Sequence, residues 1–229
     1  MDQTVIDTRT HCIRCGECCL SSSPTLHLDD VDSLKGGFIE KRNLYTIREG
    51  ELVRDNVRGR MKITDRELIK VRERPDGGGC VCYDEEKKGC VIYKHRPLQC
   101  VALACWDESK FMVVYKRPTA VRKDFIADGV LLGLIEEHDR RCGYGKLGEY
   151  VRQIESEGER AVQRILELLK FDYNLRLLVS RKLAVDHSEI DLIFGRPLTE
   201  TITMFGLKVV LEPGGTFLLT AFGLDHSNG

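Results

Sequence analysis

The strongest constraint on this chain is a run of four cysteines near its start, Cys12-Ile13-Arg14-Cys15-Gly16-Glu17-Cys18-Cys19. Two residues between cysteines allow a tight turn to direct both sulfurs at one point, as in tetrahedral zinc sites and iron–sulfur sites. Adjacent side chains do not converge easily on one ion, so Cys18 and Cys19 are expected to serve different sites, or one of them is spare. The run predicts a metal site far more clearly than it predicts a reaction.

The chain has ten cysteines among 229 residues, and its context favours metal over disulfides. Disulfide scaffolds are typically small, secreted and denser in cysteine. The opening residues Met1 to Asp7 are acidic and lack the apolar stretch of a signal peptide, and the longest apolar runs, such as 129–135, are too short to cross a bilayer. We therefore expect a cytoplasmic protein without a membrane partner. Because 35 basic residues nearly balance 36 acidic ones, we expect no nucleic-acid partner.

Later cysteines extend the pattern. Cys80 follows a glycine-rich turn, and Cys90-x-Ile92-Tyr93 precedes Arg96-Pro97-x-x-Cys100. Together with the first run, these segments resemble the CxxCxxCC family, also called the YkgJ-type cysteine-cluster family of zinc- or iron-chelating proteins. The resemblance covers about the first 110 residues, and Cys105-Trp106-Asp107 and the Cys142 region resemble archaeal members. Membership implies a metal centre but no particular activity.

The resemblance implies a set of metal ligands drawn from these segments. The predicted ligands are Cys12, Cys15, Cys18, Cys19, Cys80, Cys90, Cys100, Cys105 and Cys142. Cys82 stands where family members often carry an aromatic or aliphatic residue, so it is interpreted as a non-ligand thiol. Arg96 is a candidate cofactor-binding residue that donates to a cluster sulfide, or else it braces the backbone at Pro97. We expect His95 and His11 in solvent, and Trp106 as a wall of the metal site.

The identity of the metal is inferred from the number of thiols. A zinc site needs four ligands, and ten thiols with few histidines exceed what one ion requires. Two four-thiolate centres would use eight of them. Richness in cysteine alone favours iron–sulfur chemistry, with one or two [4Fe–4S] clusters, while two structural zinc ions are the alternative.

Three functions are compatible with such a centre. The first is an iron–sulfur protein that acts in electron transfer or as an accessory or maturation factor, with a protein redox or maturation partner. The second is an enzyme, because a flagellin lysine N-methylase carries a similar cysteine-cluster region; Cys12, Cys15 and Cys18 would then hold a cluster that serves S-adenosylmethionine. The third is a zinc-stabilised interaction module. The sequence fixes neither an enzymatic activity nor the oligomeric state.

For the fold we expect an α+β protein: an irregular, metal-organised, cysteine-rich part with short β-hairpins, then a helical part with a terminal hairpin. The division is placed at 1–146 and 147–229, with the two parts packed as one body. The sequence pattern predicts short helices at 29–34 and 186–194, longer ones at 124–141, 149–170 and 173–185, hairpins at 44–53 and 204–222, and a β-like run at 110–116. The segment 68–72 is open between helix and strand.

Two further patterns are given ordinary structural interpretations. Gly143-x-Gly145-x-x-Gly148 satisfies a dinucleotide-binding pattern, but the residues before it look helical, so a helix-terminating turn explains it better. The acidic run Glu136 to Asp139 continues into two arginines, which favours a solvated helix end over a carboxylate metal site.

Overall fold

The computed structural model describes residues 10–75, 77, 79–212 and 216–221, and it confirms the predicted α+β class. The helices are α1 Glu17–Ser21, α2 Val31–Lys35, α3 Leu98–Ala102, α4 Ser109–Tyr115, α5 Gly129–Arg141, α6 Tyr144–Arg152, α7 Ile154–Glu157, α8 Glu159–Lys182, α9 Ile190–Phe194 and α10 Leu198–Thr201. The strands are β1 Leu44–Ile47, β2 Leu52–Asp55, β3 Arg60–Ile63, β4 Leu68–Val71, β5 Tyr83–Asp84, β6 Gly89–Cys90, β7 Leu207–Leu211 and β8 Phe217–Ala221. Among these residues, no helix is both long and apolar enough to span a membrane.

The chain divides into two compact units, each formed from two separate stretches. Unit 1 comprises the chain up to Asn43 together with Lys70–Ala120, and unit 2 comprises Leu44–Ile69 together with the chain from Val121 onward. The predicted division into 1–146 and 147–229 stays a prediction; position 146 lies inside α6. Nine of the ten cysteines lie in unit 1.

Unit 1 is built around an extended segment that follows α1. Leu26 in this segment is fully buried, and its carbonyl accepts a hydrogen bond from the amide of Ala120 at 3.0 Å. The carbonyl of Pro24 accepts from the amide of Val71 at 3.0 Å. These bonds join three distant stretches of sequence, and α2 adds Leu34 to the apolar interior. The cysteine-bearing loops branch from this small framework.

Unit 2 holds most of the helix and two apolar cores along α8. One core is formed by Cys142, Tyr144, Leu147, Ile165, Leu168, Leu169, Leu198 and Ile202. The other is formed by Ile135, Leu175, Val179, Ile190, Ile193 and Phe194. The antiparallel hairpin of β7 and β8 pairs Leu207 with Ala221 and packs on the first core through Val209 and Leu219. The predicted terminal hairpin is thus confirmed, although its turn at 213–215 lies outside the described residues.

Several element predictions are confirmed and others are corrected. A short helix forms at 31–35, and 68–71 is a strand. The predicted helix over 124–141 begins only at Gly129, because the Asp128 side chain accepts from the amide of Leu131 and caps the helix there. The predicted 149–170 helix is interrupted at Gln153 and Gly158, and 173–185 continues α8 instead of forming a separate helix. The short helix predicted at 186–194 forms in two parts: a helical turn at His187–Glu189, where the Asp186 side chain accepts from the amide of Ser188, and α9 at Ile190–Phe194.

The pairing predicted for 44–53 and the strand predicted for 110–116 are wrong. The strand β2 pairs with β3, with Leu52 opposite Ile63, instead of folding back on β1 as a hairpin. Residues 109–115 form α4, and the Asp107 carboxylate accepts from the amide of Ser109, the first residue of this helix, at 3.0 Å. A β-prone segment forms a helix here, because tertiary context often overrides local β-propensity.

Candidate metal centre

Six thiols of unit 1 interact with one another and form what we call the thiol cluster: Cys18, Cys19, Cys80, Cys82, Cys90 and Cys100. They come from four segments that are distant in sequence. The sulfurs of Cys18 and Cys19 lie 4.0 Å apart, and the thiols of Cys80 and Cys82 share a hydrogen bond. The structure therefore brings together five predicted ligands and one further cysteine, Cys82, which the sequence pattern indicates to be a non-ligand thiol.

A close backbone approach brings Cys80 to Cys19. The amide of Cys80 donates to the carbonyl of Cys19 at 2.6 Å. Gly79 precedes it with φ +90°, and a Cβ at this position would lie 2.2 Å from the carbonyl oxygen of Cys19 and 2.5 Å from the Cα of Leu20. Only glycine tolerates both the left-handed conformation and this contact. The glycine-rich turn thus makes room for the first cysteine segment.

A short hairpin and one helix position the other sulfurs. The strands β5 and β6 pair Tyr83 with Cys90, and the amide of Val91 donates to the carbonyl of Cys82 at 2.9 Å. Cys100 lies in α3, whose first residue, Leu98, donates its amide to the carboxylate of Asp30 at 2.8 Å. These contacts fix the Cys82, Cys90 and Cys100 segments to the framework of unit 1.

Three cysteine sulfurs accept hydrogen bonds from the backbone amide two residues further along the chain. The amide of Arg14 lies 3.4 Å from the Cys12 sulfur, and the amides of Cys82 and Ile92 donate to the sulfurs of Cys80 and Cys90. A hydrogen bond to the charged form of a thiol stabilises the thiolate, and such bonds also tune bound iron–sulfur centres. The local turns are therefore shaped for thiolates.

In each of the two thiol pairs, the pKa of one thiol is lowered and the pKa of the other is raised. The hydrogen bond from Cys19 lowers the pKa of Cys18 to about 6, and the same bond together with burial raises the pKa of Cys19. Likewise, the hydrogen bond from Cys82 lowers the pKa of Cys80 to about 7, while the pKa of Cys82 is raised. Within each pair the thiolate forms first at Cys18 or Cys80, and its partner keeps the proton that it donates to this thiolate. A thiolate is the form of cysteine that binds a metal.

Burial raises the pKa of the remaining two thiols, and the charge of a nearby arginine acts in the opposite direction. Desolvation raises the pKa of Cys90 and of Cys100, and the charge of Arg96 acts in the opposite direction on both and on Cys18. Arg96 therefore lies close enough to affect three sulfurs of the thiol cluster electrostatically. Its guanidinium also lies over the ring of Tyr93, 4.1 Å from the centroid. Its role as a cofactor-binding residue stays a prediction.

The other predicted ligands lie in different surroundings. Cys12, Cys15 and Cys105 are exposed. Cys142 belongs to unit 2, where it is fully buried in an apolar core and its carbonyl accepts from Arg48 at 3.1 Å. Packing accounts for this position of Cys142, and ligation by these four cysteines stays a prediction.

Histidines contribute little to the surroundings of the cluster. His95 stacks on Phe38 with ring centroids 3.8 Å apart, and His27 lies buried between the carbonyl of Pro118 and the side chain of Gln99. His11 is exposed beside Thr10, and both it and His95 are exposed as expected. Trp106 is 40% exposed. The contacts of His27 and His95 are therefore with groups other than the cysteines of the thiol cluster.

The donor chemistry fits a thiolate-ligated metal. All ten cysteines lie in the described residues, and none of them is joined to another by a disulfide there. In the described part of the chain, no three cysteine, histidine, aspartate or glutamate side chains converge tightly enough to hold one ion as they stand. The thiol cluster is accordingly a loose gathering of sulfurs, with hydrogen bonds that favour the charged form.

The structure also shows where the glycine pattern at 143–148 and the acidic run Glu136 to Asp139 lie. The glycine pattern at 143–148 follows helix α5, and Gly145 and Gly148 lie inside α6, so the strand that a dinucleotide-binding loop requires does not precede it. The acidic run is only partly solvated. Glu137 pairs with Arg140 and Arg141 at the surface, whereas His138 is fully buried and its Nε2 lies 2.7 Å from the carboxylate of Asp172.

A unit that gathers thiols from four segments, without disulfides, defines a cysteine-rich metal-binding module. Residues 11–119 match the family model CxxCxxCC, described as "Putative zinc- or iron-chelating domain". Residues 11–119 are therefore similar to the CxxCxxCC family, which confirms the resemblance noted in the sequence and supports metal binding by this segment. No curated protein and no solved structure matches the chain.

Proposed function

We propose that the CxxCxxCC domain binds iron as an iron–sulfur centre, one or two [4Fe–4S] clusters per chain, and that the protein serves in electron transfer or as an accessory or maturation factor. The observation that supports this proposal is the thiol cluster itself, six cysteine side chains from four segments that interact electrostatically with one another. Iron–sulfur centres are held mainly by thiolates, whereas a single zinc ion needs four ligands.

The residues that would hold the centre are those of the thiol cluster, with Cys12 and Cys15 as further candidates from the adjacent turn. When bound, such a centre supplies a one-electron redox couple. The chain's own contribution is to keep thiolates available through amide–sulfur hydrogen bonds, and to place the positive charge of Arg96 beside them. Positive charge and hydrogen bonds to sulfur both stabilise a negatively charged centre.

The test is purification without oxygen, followed by iron and acid-labile sulfide analysis and Mössbauer spectroscopy. The proposal expects iron and sulfide in similar amounts and a spectrum typical of [4Fe–4S] clusters. A colourless protein that carries stoichiometric zinc would overturn it in favour of a zinc-stabilised module.

Two cysteine variants make this test specific to the site. Cys100→Ala removes a sulfur of the thiol cluster, and we expect it to lower the iron content. Cys142→Ala removes a sulfur from the core of unit 2; retained iron with reduced stability would assign Cys142 to packing, whereas lost iron would assign it to the ligand set. Equal iron in the wild type and in Cys100→Ala would contradict a role for the thiol cluster.

A further inference from the structure

The turn between the first two cysteines holds an arginine in an unusual backbone conformation. Arg14 has φ +59°, one of three non-glycine residues with positive φ in the described chain. Glycine and asparagine adopt this conformation at lower cost, and a residue held in it is usually fixed by its surroundings. A long charged side chain at this position suggests that the side chain has a task of its own.

That side chain contacts the segment that carries Cys90 and Cys100. The guanidinium of Arg14 lies over the ring of Tyr93, 4.2 Å from the centroid, and the guanidinium of Arg96 lies 4.1 Å from the same centroid. A tyrosine ring that carries two guanidinium groups is an electrostatic anchor, because the ring face attracts cations. Tyr93 itself is fixed in the short helical turn Tyr93–His95, three residues after Cys90.

We propose that Arg14 and Tyr93 are positioning residues, which hold the Cys12–Cys15 turn beside the thiol cluster. The exposed thiols of Cys12 and Cys15 then join the ligand set of the cluster. This inference rests on the metal site proposed above. The link runs from the cysteine turn through the Tyr93 ring to Arg96. The amide of the same Arg14 donates toward the Cys12 sulfur, so its backbone and its side chain both act on the turn.

The experiment uses the full-length reduced chain and Co²⁺ as the probe, under anaerobic conditions. Co²⁺ affinity is measured from the thiolate-to-cobalt absorption, and maleimide labelling with mass spectrometry reports which cysteines the bound ion protects. The variants are Arg14→Ala, Arg14→Gly and Tyr93→Leu, with Tyr93→Phe as the conservative change. Arg117→Ala is the matched control, since Arg117 is a half-exposed arginine of unit 1 that pairs with Asp29 at 2.8 Å.

We expect Co²⁺ to protect Cys12 and Cys15 in the wild type, in Tyr93→Phe and in Arg117→Ala. In Arg14→Ala and Tyr93→Leu that protection is lost while Cys90 and Cys100 stay protected, and the Co²⁺ affinity falls by about tenfold, as for other residues that orient ligands. Arg14→Gly separates the two contributions of Arg14: it relaxes the backbone but removes the stacking, so it too should lose the protection.

Three results would overturn the inference. If Arg14→Ala and Tyr93→Leu protect Cys12 and Cys15 as the wild type does, the stack does not position them. If Arg14→Gly alone behaves like the wild type, only the turn conformation matters. If the wild type binds Co²⁺ without protecting Cys12 and Cys15, the two cysteines lie outside the site. If the wild type binds no Co²⁺ at all, the inference fails as well, whereas the proposed iron–sulfur centre is judged separately by the iron and sulfide content of the anaerobically purified protein.

Discussion

At the scale of single residues, the thiol cluster depends on positions that carry no sulfur. Gly79 allows the Cys80 segment to touch Cys19, and Gly16 allows the first turn to lie against the buried ring of Tyr83. The sequence showed that glycines surround Cys80, but not what they approach, because that partner lies about 60 residues earlier in the chain. Local composition marks a flexible or crowded turn, and only the tertiary structure identifies its neighbour.

Gly79→Ala tests this contact. The added methyl group would meet the backbone of Cys19, so Cys80 must move away and we expect metal binding to weaken by at least about tenfold, the effect of ~1.4 kcal/mol. Gly77→Ala is the matched control, since Gly77 also has a positive φ, +74°, but a Cβ there meets no described atom within 4 Å. Both changes carry a similar conformational cost of about 1–2 kcal/mol. Equal metal affinity in the two variants, measured by competition with a chromophoric chelator, would contradict the role of Gly79.

The reactivity of Cys18 tests the sharing of a proton within a pair. Because the pKa of Cys18 is lowered from 9.0 to about 6, its thiolate forms as the pH rises through about 6, well below the range of an ordinary thiol. In the metal-free chain, the rate of Cys18 alkylation by iodoacetamide should therefore rise near pH 6 and level off by pH 8. Cys19→Ala removes the hydrogen bond that causes the shift, and should return the rise toward pH 9. A Cys18 profile that is unaffected by Cys19→Ala would show that the pair does not share a proton.

At the scale of elements, the long helix α8 depends on a buried ionic contact that periodicity could not predict. Asp172 is 1% exposed and accepts hydrogen bonds from His138, from Arg176 and from the amide of Leu198, at 2.7, 2.8 and 3.0 Å. An apolar stripe predicts which side of a helix is buried, but it does not reveal an acidic residue within that side. The partners of Asp172 come from three different parts of unit 2.

Asp172→Ala should strongly destabilise unit 2. Removal of one member of a buried, hydrogen-bonded charge pair costs about 3–5 kcal/mol, because the other charge is left unpaired. Urea unfolding followed by far-UV circular dichroism measures this change, since most of the helix belongs to unit 2. Glu137→Ala is the control, as Glu137 forms only surface pairs with Arg140 and Arg141; its unfolding midpoint should stay near that of the wild type. Similar midpoints for the two variants would contradict the account.

The same carboxylate predicts a pH dependence. Burial alone would raise the pKa of Asp172, but the hydrogen bond from His138 and the charge of Arg176 outweigh it and lower the pKa to about 2. Since the folded pKa is below the unfolded one, the stabilisation is fully present above pH 3.8 and is lost as the pH falls through about 2. Between pH 4 and pH 2, the free energy of unfolding of Asp172→Ala should therefore fall by less than that of the wild type. An identical acid dependence in both proteins would argue against an ionised Asp172.

Other elements show where sequence reasoning succeeded and why it failed. The terminal hairpin and the short helix at 190–194 were predictable, because a turn sequence lies beside the hairpin strands and Asp186 caps the helical turn His187–Glu189 that precedes the helix. The pairing of β2 with β3 was not, since two neighbouring turns compete and the sequence does not reveal which one brings strands together. The helix α4 was missed because its run of five β-prone residues, Phe-Met-Val-Val-Tyr, favours a strand by local propensity.

At the scale of the whole molecule, the cysteine spacing predicted the metal-binding character, and the pattern of helices and hairpins predicted the α+β class. The compact units, by contrast, emerge only from long-range contacts. Each unit combines two separate stretches, so its boundaries have no marker in composition or linkers. For the same reason, the sequence grouped Cys142 with the other cysteines, whereas the structure places it in the core of unit 2.

Metal removal should act mainly on unit 1. This unit carries nine cysteines and the protein's single tryptophan, Trp106, whereas unit 2 has two apolar cores of its own. We expect a chelator to change the fluorescence of Trp106 markedly while most of the helical dichroism persists, because structural metal contributes directly to folding where it binds. Simultaneous loss of both signals would contradict this division of stability.

The most direct test of the central claim, that cysteine sulfurs of unit 1 bind metal, is X-ray absorption spectroscopy at the edge of the metal that the protein carries after anaerobic purification. The account predicts a first shell of sulfur at about 2.3 Å, which becomes smaller or disappears in the Cys100→Ala variant. A first shell of nitrogen or oxygen, or a shell that Cys100→Ala leaves unchanged, would contradict it.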